Sequence, residues 1–179
     1  MKATGIVRRV DDLGRIVIPK EIRRTLKIRE GDPLEIYTEK DGGVIFRKYS
    51  PMEDLQEFAA HICEAIHATT GRAAAVADRD SIIATAGIPK RELLEKPNSP
   101  ELEKLLSSRK TYRFQEGDAI VRCVDGNDKY PVSIAAPVIS QGDLLGCVLL
   151  LGETPTIMSD TDQKLAQTIA SFLGKQMES

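Results

Sequence analysis

Tryptophan is absent from the 179 residues, and tyrosine and phenylalanine number four each. None of those aromatics precedes Tyr37. A platform for single-stranded nucleic acid stacks bases on aromatic faces, so the opening segment argues against one. Cysteine is scarce, with three residues widely spaced. An odd, scattered set argues against a disulfide framework and fits a reducing cytoplasm. Cys63 and His67 stand one helical turn apart, but no second Cys/His pair completes a zinc site, and no metal is expected. No apolar run reaches the roughly 18 residues that suggest a membrane helix, and "MKATGIVRRV" lacks the apolar core of a secretory signal. A Gly-rich phosphate loop is also missing, because "DGG" and "GRAAA" lack the lysine and spacing it needs.

Net charge is small as well, at -2. The average conceals an asymmetry. Residues 1–50 carry 12 basic against 8 acidic side chains, whereas residues 51–179 carry 13 against 19. Within residues 1–29 the bias sharpens to 9 against 3. A sign change between the two parts points to a basic binding module joined to something else.

The pattern of the first fifty residues reads as a small, mostly β unit with one short helix. "TGIVRRV" and "RIVI" are β-branched runs around "DDLG", whose Gly14 suits a tight turn. Pro19 fits the first position of the helix "KEIRRTLKI", which should stop before Gly31. "PLEIYTEKDGGVIFRKY" reads as a hairpin turning at Asp41-Gly42. So small a unit buries too little surface to be stable alone, and association with a second copy is the expected source of its core.

Ser50 or Pro51 should open a linking helix over 51–71, with Glu53 and Asp54 at its positive end and Gly71 at its stop. Leu55, Phe58, Ile62, Ile66 and Thr69 form its apolar stripe. Residues 72–179 follow as a separate domain. "AAAVAD" and "IIATAG" form one strand pair, "PVSIAAPVIS" and "LLGCVLLLG" another, with helices inside 90–108. Ser159 and Asp162 resemble a capping box for a last helix with Leu165, Ile169, Phe172 and Met177 on one side. The expected class is α+β, an antiparallel sheet carrying helices on one side.

On a helix, Lys20, Arg23, Arg24 and Lys27 share one face, while Ile22 and Leu26 turn toward a core. Arg8, Arg9 and Arg15 extend the positive set. Arginine's planar fork bonds phosphate or a guanine edge bidentately, so duplex DNA is the expected partner. A solvated charge run is the plainer alternative. No catalytic group is expected. Cys147 sits in an apolar strand as a core residue, Cys123 could face either way, and Asp118, Asp125 and Asp128 fall in loops.

"TGIVRRVDDLGRIVIPKEIRRTLKIREGDPLEIY" resembles the AbrB-type swapped-hairpin DNA-binding domains of spore-forming bacteria. The resemblance implies that two chains interleave their hairpins into one barrel-like dimer. By position it gives the DNA contacts to Arg8, Arg15, Arg23 and Arg24. Lys20 stands where some members carry an apolar residue, and Arg9 and Lys27 are the outlying candidates. The whole layout is similar to sporulation regulators that join such a domain to a GAF-like domain. That likeness implies a homotetramer through the GAF-like helices and control of late spore development, by activation, repression or both. It leaves an unidentified small-molecule ligand open, walled by residues 88–118. Some GAF relatives reduce methionine sulfoxide with cysteines, but no matching cluster is visible. Antitoxins that share the hairpin dimer supply an alternative, a protein-binding module. Their short polar tails contrast with the patterned C-terminal region here.

Overall fold

The computed structural model of the chain describes residues 5–52 and 55–178. Thr4, where the first expected strand begins, and Glu53 and Asp54 lie outside the described residues. The chain divides into two compact units, Met1–Tyr49 and Ser50–Ser179.

In the first unit, helix α1 spans Lys20–Thr25. Pro19 caps it from outside rather than occupying its first turn. The helix also ends earlier than Ile28. Lys27 adopts a left-handed backbone with φ 51°. The Ile28 N–H donates to the Arg23 carbonyl at 2.7 Å and the Lys27 N–H to the Arg24 carbonyl at 3.2 Å. This closure usually takes glycine at its left-handed position, and a lysine takes it here. Strands β1 (Leu34–Thr38) and β2 (Val44–Lys48) pair antiparallel, with Ile36 opposite Phe46. Gly42, at φ 89°, turns the hairpin, and the Asp41 carboxylate accepts from the Gly43 N–H at 3.1 Å.

The two β-branched runs of residues 6–10 and 15–18 are not strands in this chain. A strand needs a neighbour along its whole length to satisfy its backbone groups. The turn between the runs is closed by the Asp11 N–H on the Arg15 carbonyl and the Gly14 N–H on the Asp11 carbonyl, both at 3.0 Å. Their side chains stand in the open: Val7 is 86% exposed and Val17 72%. Pro19 is the one buried residue among those described in this unit.

The second unit is built on a five-stranded antiparallel sheet in the order β4-β3-β7-β6-β5. The strands are β3 (Ala73–Asp78), β4 (Ile82–Ala86), β5 (Tyr112–Arg113), β6 (Val132–Ser140) and β7 (Asp143–Leu151). Helix α2 (Gln56–Thr70) precedes the sheet and α5 (Asp160–Gln176) follows it. The short helices α3 (Lys90–Leu93) and α4 (Pro100–Ser107) lie between β4 and β5. Alternate residues of β7 face opposite ways: Val148 and Leu150 toward α2 and α5, Cys147, Leu149 and Leu151 toward α3 and α4. Burial on both faces explains the unbroken apolar run of this strand. Helices therefore cover both sides of the sheet, not one side.

Helix α2 begins at Gln56 without a side-chain cap. Ser50 does not open it; its hydroxyl donates instead to the Asp78 carboxylate at 3.0 Å. Gly71 stops the helix with φ 68°, and the Ser159–Asp162 capping box opens α5. The expected stripes reach the core in part: Ile66 is buried, and Leu55, Ile62, Leu165 and Ile169 pack half-buried against it. Ala59, Cys63 and Ile66 turn inward from α2, and Ala166, Ala170, Leu173 and Gly174 from α5. At Gly174 the cause is close approach. A Cβ on Gly174 would come within 2.2 Å of the Ile139 carbonyl oxygen. Phe58 and Phe172 remain partly exposed, with ring centroids 5.9 Å apart.

Candidate nucleic-acid interface

All seven basic residues singled out by sequence, Arg8, Arg9, Arg15, Lys20, Arg23, Arg24 and Lys27, are exposed. Helix α1 holds three of them. Lys20 occupies its first turn, and Arg23 and Arg24 its last. Cations near the negative C-terminal end of a helix are favourable, which offsets the repulsion between them. Lys27 is not part of the helix. It lies past the end of α1, and its carbonyl accepts from the Lys48 ammonium at 3.1 Å. The opposite side of the helix is only half covered, because Ile22 is half-buried and Leu26 is 52% exposed.

Arg15 is held in place by a residue that the charge pattern did not single out. The Asp11 carboxylate accepts from the backbone N–H groups of Leu13 and Arg15 at 3.0 and 2.8 Å. Its other oxygen accepts from Arg15 Nε at 2.8 Å. The backbone and side-chain bonds from Arg15 hold this carboxyl below its ordinary value, so it is charged at neutral pH. The signal in the sequence was an Asp at the start of "DDLGR", the residue type that bonds its own backbone in turns.

On the hairpin, the Arg47 guanidinium lies 5.0 Å from the centre of the Tyr37 ring. The Tyr37 hydroxyl donates to Glu35 at 2.5 Å, and this bond raises its pKa. Arg47 therefore has partners within its own strand pair.

In the second unit, all three thiols are buried. Burial pushes Cys63 and Cys123 up to about 12, and Cys147 well above its ordinary value. Cys123, whose direction the sequence left open, is fully buried with Val124 against the sheet. His67 is exposed, and its Nδ1 lies 3.0 Å from the Arg72 carbonyl, away from Cys63 in the core. Among the described residues there is no group of three His, Cys, Asp or Glu that could hold a metal ion, and no helix long and apolar enough to cross a membrane. The segment expected to wall a ligand pocket packs directly on the sheet through Leu93, Leu102 and Leu106.

Residues 54–178 match the family described as stage V sporulation protein T C-terminal, transcription factor. Residues 7–54 match the family described as antidote-toxin recognition MazE, bacterial antitoxin. The chain is 46% identical over 180 residues to stage V sporulation protein T of Bacillus subtilis (strain 168), covering 99% of each. It is 63% identical over 51 residues to the transition state regulatory protein AbrB of the same organism, covering 28% of this chain and 52% of that one. Among solved structures, the GAF domain of an Acinetobacter phosphoenolpyruvate-protein phosphotransferase superposes with a TM-score of 0.56 at 10% identity, covering 69% of this chain and 81% of that one. At such low identity the likeness gives the C-terminal unit a GAF-like fold and nothing about ligand.

Proposed function

The chain belongs to the family of stage V sporulation protein T, and on that premise we propose that it regulates transcription of sporulation genes by binding duplex DNA. The observation that carries the reading is the exposed basic set on and around α1, within a segment related to AbrB. Residues 1–50 form the DNA-binding domain, 51–71 the linking segment that carries α2, and 72–179 a GAF-like domain for oligomerisation and sensing. Arg8, Arg15, Lys20, Arg23 and Arg24 dock on phosphates and groove edges, with Arg9 and Lys27 at the margin. Each neutralised phosphate releases a counterion, so binding weakens steeply with salt.

Two copies share the N-terminal unit, and two such pairs join through the helices of the C-terminal unit. Support for the first step is the apolar side chains that one chain leaves uncovered, Val7, Val17 and Ile36 among them. Support for the second is the exposed Phe58–Phe172 pair on α2 and α5. The protein acts in the cytoplasm and is not an enzyme. The antitoxin reading is not favoured, because a patterned, five-stranded unit stands where an antitoxin has a short tail.

The test is fluorescence anisotropy with an AT-rich duplex over a salt series. Arg23→Ala with Arg24→Ala weakens binding by about thirtyfold or more, since each arginine is worth about 1–3 kcal/mol. The oligomer measured by sedimentation stays the same. Wild-type affinity in the double variant would take the basic face out of the function.

A further inference from the structure

A carboxylate is out of place on a surface meant for phosphates. Asp11 lies within a segment whose charge is otherwise strongly positive, and its negative charge repels the DNA backbone. The turn alone does not require it. Asparagine closes such turns equally well through one side-chain oxygen. What Asn cannot do is accept from Arg15 Nε with its second side-chain atom, because that atom is an N–H donor.

We propose that Asp11 is a positioning residue for DNA recognition, aiming the Arg15 guanidinium by holding its Nε edge. The proposal rests on the reading that Arg15 contacts DNA. The geometry supplies a division of labour within one carboxylate. Oδ1 gathers the backbone N–H groups of Leu13 and Arg15 and fixes the turn. Oδ2 takes the Nε–H at 2.8 Å and fixes the side chain. Arginine has five N–H donors in a planar fork. Nε supplies one, so the four on the terminal nitrogens stay available for a base edge or a phosphate. Arg15 is 69% exposed, so nothing else in the chain encloses it. A side chain this open loses rotamer freedom on binding, and an ion pair made beforehand lowers that cost. Asp11 thus trades some non-specific attraction for a fixed recognition group. Affinity for a non-preferred duplex falls slightly, and discrimination between duplexes rises.

Asp11→Asn in the full-length protein separates the two halves of the role. It keeps the turn through Oδ1 and releases Nε. Two probes are used: an AT-rich duplex selected from a random pool by the wild-type protein, and a GC-rich duplex of equal length. The expected result is about tenfold weaker binding to the selected duplex, from loss of one oriented bidentate contact. Binding to the GC-rich duplex is equal or tighter, since a negative charge is gone. The ratio between the duplexes therefore collapses while the sedimentation profile holds. A variant that weakens on both duplexes alike, or on neither, would make Asp11 a turn-former only and overturn the proposal. Arg15→Ala is measured alongside. If it binds the selected duplex at full strength, both the Arg15 contact and the proposal fail. If it weakens while Asp11→Asn keeps the wild-type ratio, the contact stands and the proposal alone fails.

Discussion

The C-terminal unit buries apolar side chains on both faces of its sheet, whereas the N-terminal unit buries one proline among its described residues. The two are not different in kind of residue. Val, Ile and Leu are plentiful in both, but in the N-terminal unit Val7, Val10, Leu13, Ile16 and Val17 are exposed. The difference lies in where the missing neighbour comes from. The second unit folds its own helices over its sheet. The first has β-branched runs without partner strands, and a second copy is the neighbour that would complete it. One unit carries its core within a chain, and the other, on the proposed dimer, would share it between chains.

The sharpest way to break that contrast is Ile36→Asp. Ile36 is 60% exposed in the single chain, opposite Phe46 on β2. On a solvated surface the change is nearly neutral, within about 0.5 kcal/mol. In a shared core it places a charge among apolar side chains, which undoes the N-terminal unit. The expected outcome is rapid protease cleavage within residues 1–49 and loss of DNA binding, with the C-terminal unit intact. Uncut protein with full DNA affinity would end the shared-core account.

Leu150→Ala probes the other side. Leu150 is fully buried between the sheet and helices α2 and α5. The change costs the C-terminal unit about 3 kcal/mol in urea unfolding. That loss does not depend on protein concentration if the core lies within one chain. A strong concentration dependence would mean that this core too is shared.

The smallest effect concerns pH. Burial raises the Asp162 carboxyl, but bonds from the Ser159 hydroxyl and N–H, together with Arg72 at 3.5 Å, outweigh it and leave the pKa below its ordinary value. A lowered carboxyl stabilises the fold fully above its unfolded value of about 3.9, and this contribution fades as pH falls through the lower folded value. C-terminal stability therefore drops below about pH 4. Ser159→Ala costs about 1 kcal/mol at neutral pH and shallows that drop, because it removes the cap and one bond to Asp162. An unchanged acid profile in Ser159→Ala would show that Asp162 draws its charge stabilisation elsewhere.

Much of this architecture was legible because its signals are local. Gly42, Gly71 and the Ser159–Asp162 box each act within one turn of backbone, so residue type and spacing announce them. The end of α1 was misread because a lysine took the left-handed position that usually needs glycine. The strands of residues 6–10 and 15–18 carried a true β pattern, yet pattern records propensity and says nothing of whether a neighbour is at hand. In the candidate site the arginines were visible as a charge excess. Asp11 was not, since an acidic residue in a basic segment reads as noise until its bonds to Arg15 are seen.

By itself the sequence determined the division into a basic and an acidic part, the turns, the caps, and the cluster of basic side chains in residues 1–29. Charge and local backbone preference belong to each residue and its near neighbours. Only the tertiary structure decided which helix faces turn inward. Bulk favoured Phe58 and Phe172 for the core, but Ala59, Ala166, Ala170 and Gly174 are buried instead, and at Gly174 the Ile139 backbone leaves no room for a side chain. Burial is settled by fit between segments far apart in the chain. A small side chain wins where two backbones approach, whatever its hydrophobicity.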